Sequence, residues 1–185
     1  MKIQSKQLTA ELEQQVIQII GQTNALAALP SEVLLRQPAP GKWSIAQVLE
    51  HLNSYNRYYL LEIEHALQQG RKKGIAASAA YTPGWFGNYF TKMMQPGADN
   101  VIAKKYKAPQ DHTPVANLDP QQVIREFIEG ENRLIDFLQQ GAKSDLGKVK
   151  VPISISRMIR LKLGDTFRFL IAHQRRHFVQ IRQIA

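Results

Sequence analysis

Apolar residues recur along this chain at intervals of three and four, and four stretches hold that rhythm long enough to predict helices with one buried face. The first carries Leu8, Leu12, Val16, Ile19, Ile20 and Leu29, and Pro30 closes it. Ser31 to Arg36 adds a turn, after which Pro38-Ala39-Pro40-Gly41 forces an irregular loop. The second helix has the best-marked start, because Ser44 and Gln47 have the spacing of a capping box and Trp43 and Val48 that of a hydrophobic staple. Its apolar face runs through Ile45, Val48, Leu49, Leu52, Tyr55, Tyr59, Ile63 and Leu67, and Gly70 is the expected terminator.

From Arg71 to Leu118 the pattern weakens. Thr82-Pro83 is suited to begin a short helix through Met94, and Pro96, Pro109 and Pro114 keep the next stretch looped or extended. Asp119-Pro120 opens the third long helix, whose face carries Val123, Ile124, Phe127, Ile128, Leu134, Ile135 and Leu138 as far as Gly141. Val149 to Ile155 has weak strand character and predicts a loop or at most a small hairpin. The fourth long helix is expected from near Gly164-Asp165, with Phe167, Leu170, Ile171, Phe178, Ile181 and Ile184 inward. These elements predict an all-α fold, a four-helix bundle with a long crossover connection between helices two and three, in a single domain over residues 1–185.

Composition narrows the chemistry. The chain has no Cys, so any metal site must use His and oxygen ligands. Its formal net charge of +9 is concentrated after residue 142, where ten Lys or Arg face two Asp. No nucleic-acid motif or aromatic platform accompanies that charge, so nucleic acid is not an expected partner. The amino terminus lacks the apolar core of a secretory signal, and no run is long enough to span a membrane. A cytoplasmic protein is expected.

His173 and His177 stand four residues apart and project from one helix face, a spacing that can give two imidazoles to one ion. Gln174 stands where a zinc protease of the HExxH type needs its Glu base, which removes that mechanism. A third ligand must come from another part of the chain. Among His51, His65 and His112, the first is best placed, because Val48 and Tyr55 continue its face toward a neighbouring helix. His65 lies fourteen residues further along and His112 sits between prolines, so both are expected as surface or packing residues.

The stretch Gly41-Lys42-Trp43-Ser44-Ile45-Ala46-Gln47-Val48-Leu49-Glu50-His51-Leu52 resembles the first signature of the DinB-like family, and Leu163-Gly164-Asp165-Thr166-Phe167-Arg168-Phe169-Leu170-Ile171-Ala172-His173-Gln174-Arg175-Arg176-His177 resembles its second. The resemblance implies a four-helix bundle in which His51, His173 and His177 ligate a divalent metal, nickel or zinc first and manganese or iron as alternatives. It also implies a range of activities, among them thiol-dependent transfer and hydrolysis.

Three imidazoles leave coordination positions open, as a catalytic site requires. The leading expectation is a metal-dependent enzyme acting on a small-molecule substrate, by S-transfer of a low-molecular-weight thiol or by a related hydrolysis, in stress or detoxification. Tyr55 and Arg176, or its neighbour Arg175, are the candidate substrate contacts. Glu50 points about 100° away from His51 on the helix wheel and offers no base. The alternative is a non-catalytic binding or assembly module, a homodimer with a vacant or structural His site, suggested by the aromatic-rich segment from Tyr81 to Met94.

Overall fold

A computed structural model describes residues 2–97, 101–102, 104 and 106–184. Four long helices dominate it: α1 (Ser5–Ala27), α3 (Ile45–Lys72), α5 (Pro120–Gly141) and α6 (Leu163–Arg182). Two short ones, α2 (Ser31–Leu35) and α4 (Trp85–Met94), lie in the connections. The expected capping box starts α3: Ser44 Oγ accepts the Gln47 N–H at 3.2 Å, and Gln47 Oε1 accepts the Ser44 N–H at 3.1 Å. Asp119 caps α5 by accepting the N–H groups of Gln121 and Gln122.

Side-chain pairs give the helix directions. Arg57 with Glu126, Glu64 with Arg133 and Arg71 with Gln140 are all 69 residues apart, and a constant offset means that α3 and α5 run parallel. Gln15 with Arg175 and Gln22 with Arg182 are both 160 apart, so α1 and α6 are parallel too. Between α3 and α6 the order reverses, since His51 meets His173 while Tyr59 meets Phe169. Parallel neighbours cannot be joined by a tight turn. The chain leaving α3 must travel back along roughly 40 Å of helix before α5 begins, at 1.5 Å per residue, which is why so long a connection separates them.

Two apolar clusters fill the interior. One gathers Ile63, Leu67, Leu134, Phe167 and Leu170. The other gathers Ile45, Leu49, Leu52, Phe127 and Phe178. Among the described residues no helix is long and apolar enough to cross a membrane.

The chain is mostly helical, with two small antiparallel sheets added. β1 (Ile3–Gln4) pairs with β2 (Ala80–Tyr81), a contact between distant segments that helical periodicity cannot announce. β3 (Lys150–Ile153) pairs with β4 (Ser156–Lys162), so the stretch around Val149 to Ile155, expected as a loop or at most a small hairpin, belongs to a hairpin that extends to the start of α6. Gly70 does not end α3. It is buried inside the helix, where a Cβ would come within 3.0 Å of Val149 Cγ2, and the chain breaks instead at Gly74, with φ of 63°.

The connection from α3 to α5 is more ordered than its prolines suggest, holding β2, α4 and a 3-10 turn at Gln110–His112; residues 98–100, 103 and 105 of the expected loop lie outside the described residues. Asp165, buried at the start of α6, fastens this connection. Its carboxylate accepts the Tyr81 hydroxyl and, at 2.9 Å, the Gly84 N–H. A Cβ at Gly87 would stand 2.2 Å from Asp165 Cγ, so α4 can approach α6 this closely only with glycine there.

Candidate metal centre

The second turn of α3 and the middle of α6 face each other across the antiparallel contact and bring together three rings that are far apart in the sequence. His51 Nε2 lies 3.3 Å from His173 Nε2, and His177 Nε2 lies 3.1 Å from the same atom. The ligating atoms of all three residues are within 4.8 Å of one another. Two nitrogens held at 2.0–2.1 Å from one tetrahedral ion are about 3.3 Å apart. Both short separations match that spacing.

The surroundings set the tautomers. His51 Nδ1–H donates to the backbone carbonyl of His112 at 2.6 Å, and His177 Nδ1–H donates to Gln180 Oε1 at 2.9 Å. Each bond leaves a lone pair on the Nε2 that faces the centre. Burial keeps the rings neutral: it lowers His51 to about 4 and His177 to about 3, with neighbouring imidazoles adding to the effect, and holds His173 well below the usual range. The Nδ1 of His173 is buried with no partner among the described residues. If His173 Nε2 carries a proton, its Nδ1 lone pair is stranded. If it does not, three lone pairs converge. A cation at the centre relieves that repulsion, so the donor set fits a divalent metal.

The centre opens on a cavity of about 690 Å³. Tyr55 and Arg176, the two candidate substrate contacts, both line it, along with Lys42 and Lys107 and no carboxylate among the described residues. Burial, with a smaller contribution from Tyr59, pushes the Tyr55 phenol above its ordinary range, so it keeps its proton. Arg176 donates to the carbonyl of Lys104 and stands 5.4 Å from the Tyr106 ring. Arg175 instead bonds Gln15 on the exposed face and does not line the cavity. Glu50 is held by Arg57 at 2.8 Å, away from the rings.

Two further groups shape the site without a signal in the sequence. His112 is buried, as a packing residue would be, and also orients the site: its carbonyl aims His51, its ring stacks on Tyr55 with centroids 3.8 Å apart, and its Nδ1–H donates to Ser54 Oγ. No residue pattern announces a backbone carbonyl. Glu131 lies fully buried behind the centre and accepts Asn56 Nδ2 at 2.8 Å and Gln174 Nε2 at 2.7 Å. Gln174 thus points away from the triad, into the core. Burial pushes Glu131 up to about 8, the two bonds opposing it. Glu131 Oε2 and Gln174 Oε1 have no partner among the described residues, and protonation would turn Glu131 from an acceptor-only group into one that can also donate.

His65, by contrast, is exposed and far along α3, as expected. No match was found among curated proteins or among solved structures. The family description "DinB superfamily" matches residues 22–181, a span that includes all three histidines, the whole of α3 and α5 and nearly all of α6. The chain belongs to the DinB superfamily.

Proposed function

We propose that this chain is a metal-dependent enzyme in which His51, His173 and His177 hold one divalent ion, nickel or zinc before manganese or iron. Its reaction in this reading is S-transfer of a low-molecular-weight thiol to an electrophile, or a related hydrolysis, in a cytoplasmic stress or detoxification setting. The observation that carries the proposal is the convergence of three neutral imidazole nitrogens at the mouth of a cavity whose described lining residues include no carboxylate. The same reading takes the four long helices as a four-helix bundle with a long crossover between the second and third, forming one domain.

An ion bound by three imidazoles supplies Lewis acidity that makes a water or thiol nucleophilic near neutral pH. The remaining work falls to the chain. Lys42, Lys107 and Arg176 attract an anionic group on the thiol or its acceptor. Tyr55 retains its proton and can donate a hydrogen bond to bound substrate. A smaller apolar chamber of about 260 Å³ adjoins the cavity and shares Tyr55, Met94, Tyr106, Lys107 and Pro109 with it, so an apolar portion of the electrophile has a place beside Phe90 and Phe169.

The test is turnover by metal-loaded protein with a panel of thiols and a chromogenic electrophile, together with ester and amide hydrolysis. The expected result is thiol consumption, or hydrolysis, that disappears in His51→Ala and shows a raised KM for carboxylate-bearing substrates in Arg176→Gln. No turnover with any of the four metals would remove the enzymatic reading.

An assembly role is the second reading, favoured by α4, where Trp85, Phe86 and Tyr89 are 76%, 54% and 55% exposed. Light scattering decides it: a monomer that carries metal contradicts a homodimeric module, and a dimer that dissociates in Trp85→Ser supports one.

A further inference from the structure

A second cleft, of about 340 Å³, lies at the far end of α3, between its last turns and the β3–β4 hairpin. Gly70 lies nineteen residues beyond His51 on the same helix, roughly 28 Å away at 1.5 Å per residue, so the cleft is separate from the triad. Five cations line it: Lys73, Lys148, Lys150, Arg157 and Arg160, with His65 beside them. Glu62, the one carboxylate among its described lining residues, is taken by Arg157 at 2.8 Å. Among the described residues, no carboxylate lies within ion-pairing distance of the other four cations.

The fold gathers these charges against their mutual repulsion. The hairpin register places Lys150 directly opposite Lys162, and like charges facing each other across a ladder are destabilising. Burial, and then Lys162, pull the Lys150 ammonium below its ordinary range, while Asp165 and Asp145 oppose this from further off. Asp145 is engaged with the N–H groups of Gly147 and Lys148, and Lys162 donates to the carbonyl of Thr82. An arrangement this unbalanced is stabilised by an anion that the chain does not provide.

We propose that this cleft binds a small, multiply charged, phosphate-bearing anion. Its volume suits a small ligand. Its described walls contain no Phe, Tyr or Trp, whereas a groove for single-stranded nucleic acid uses aromatic rings to stack bases. Lysines and arginines around a concave floor suit phosphoryl oxygens, which accept several charge-assisted hydrogen bonds at once. Four of the ten cations of the carboxy-terminal quarter, Lys148, Lys150, Arg157 and Arg160, lie here, away from the metal centre.

The experiment is calorimetric titration of inorganic triphosphate into the full chain, freed of metal so that chelation does not contribute, at low ionic strength. The expected result is saturable binding that weakens about tenfold or more in the pair Lys150→Gln and Arg160→Gln. Circular dichroism should be unchanged in that pair, and the melting temperature of the free chain should not fall, since the substitutions relieve like-charge repulsion. Affinity should fall with added salt and be unaltered in Arg176→Gln, which separates this cleft from the cavity at the triad. Three outcomes overturn the proposal: no saturable binding, binding indifferent to the paired substitution, or an oligonucleotide or acidic peptide that binds the same residues more tightly than triphosphate does.

Discussion

The ring of His51 is aimed by the backbone of His112: its Nδ1–H meets that carbonyl at 2.6 Å, and its Nε2 is thereby turned toward His173. A residue on a long helix thus depends for its orientation on a 3-10 turn sixty-one residues later. That dependence makes His112 a positioning residue although its own ring does not join the triad.

His112→Ala retains the carbonyl but removes the stack on Tyr55 and the bond to Ser54. Metal affinity is expected to fall about tenfold or more, because groups that orient a ligating His commonly carry that much. Competition with a chromogenic chelator measures it. An unchanged affinity, with the fold intact, would show that the turn is held by other contacts.

Glu131 gives the chain an unusual alkaline dependence. Its carboxyl is raised from 4.5 to about 8, so the folded state binds the proton more tightly than the unfolded state. Its contribution is complete below pH 4.5 and lost as pH rises through about 8. The buried histidines act in the opposite sense: with folded values of about 4 and about 3 against 6.5, the metal-free chain loses stability as pH falls below 6.5. Between pH 6.5 and 8 Glu131 therefore contributes a decline in unfolding free energy of about 2 kcal/mol, partly offset by the histidines, which are still half protonated in the unfolded chain at pH 6.5. Denaturant melts of Glu131→Gln should show that decline abolished; an identical slope in both proteins would contradict the assignment.

Two glycines distinguish packing from helix propensity. Gly87→Ala puts a methyl group into Asp165 and is expected to destabilise by about 1–3 kcal/mol, loosening the connection that covers the site. Gly21→Ala, within α1 and with nothing inside 4 Å of a Cβ, should stabilise by up to about 1 kcal/mol. Thermal melts of the two variants should move in opposite directions.

How much of this molecule is legible in its sequence depends on how local each signal is. The start of α3 is legible because Ser44 and Gln47 satisfy each other within one turn. The His173 and His177 pair is legible because helical spacing alone places both rings on one face. His51 is read as turned toward a partner only through the apolar face of its helix, and the structure brings its ring to the other two.

Other features depend on long-range contacts. Gly70 reads as a helix stop, and only the approach of Val149 explains a glycine inside the helix. The choice of Arg176 over Arg175 depends on which side of α6 meets the connection from α3 to α5. Glu131 sits among Glu129, Gly130 and Asn132, a polar run that conceals a buried carboxyl. The pairing of β1 with β2 joins segments that share no local pattern.

The most direct test is the metal content of protein purified without an affinity tag, after incubation with nickel, zinc, manganese and iron salts and removal of excess ion. About one divalent ion per chain is expected in the native sequence and in His65→Ala, and little or none in His51→Ala, His173→Ala or His177→Ala. A native chain that stays metal-free, or triad variants that retain as much metal as His65→Ala, would contradict the account.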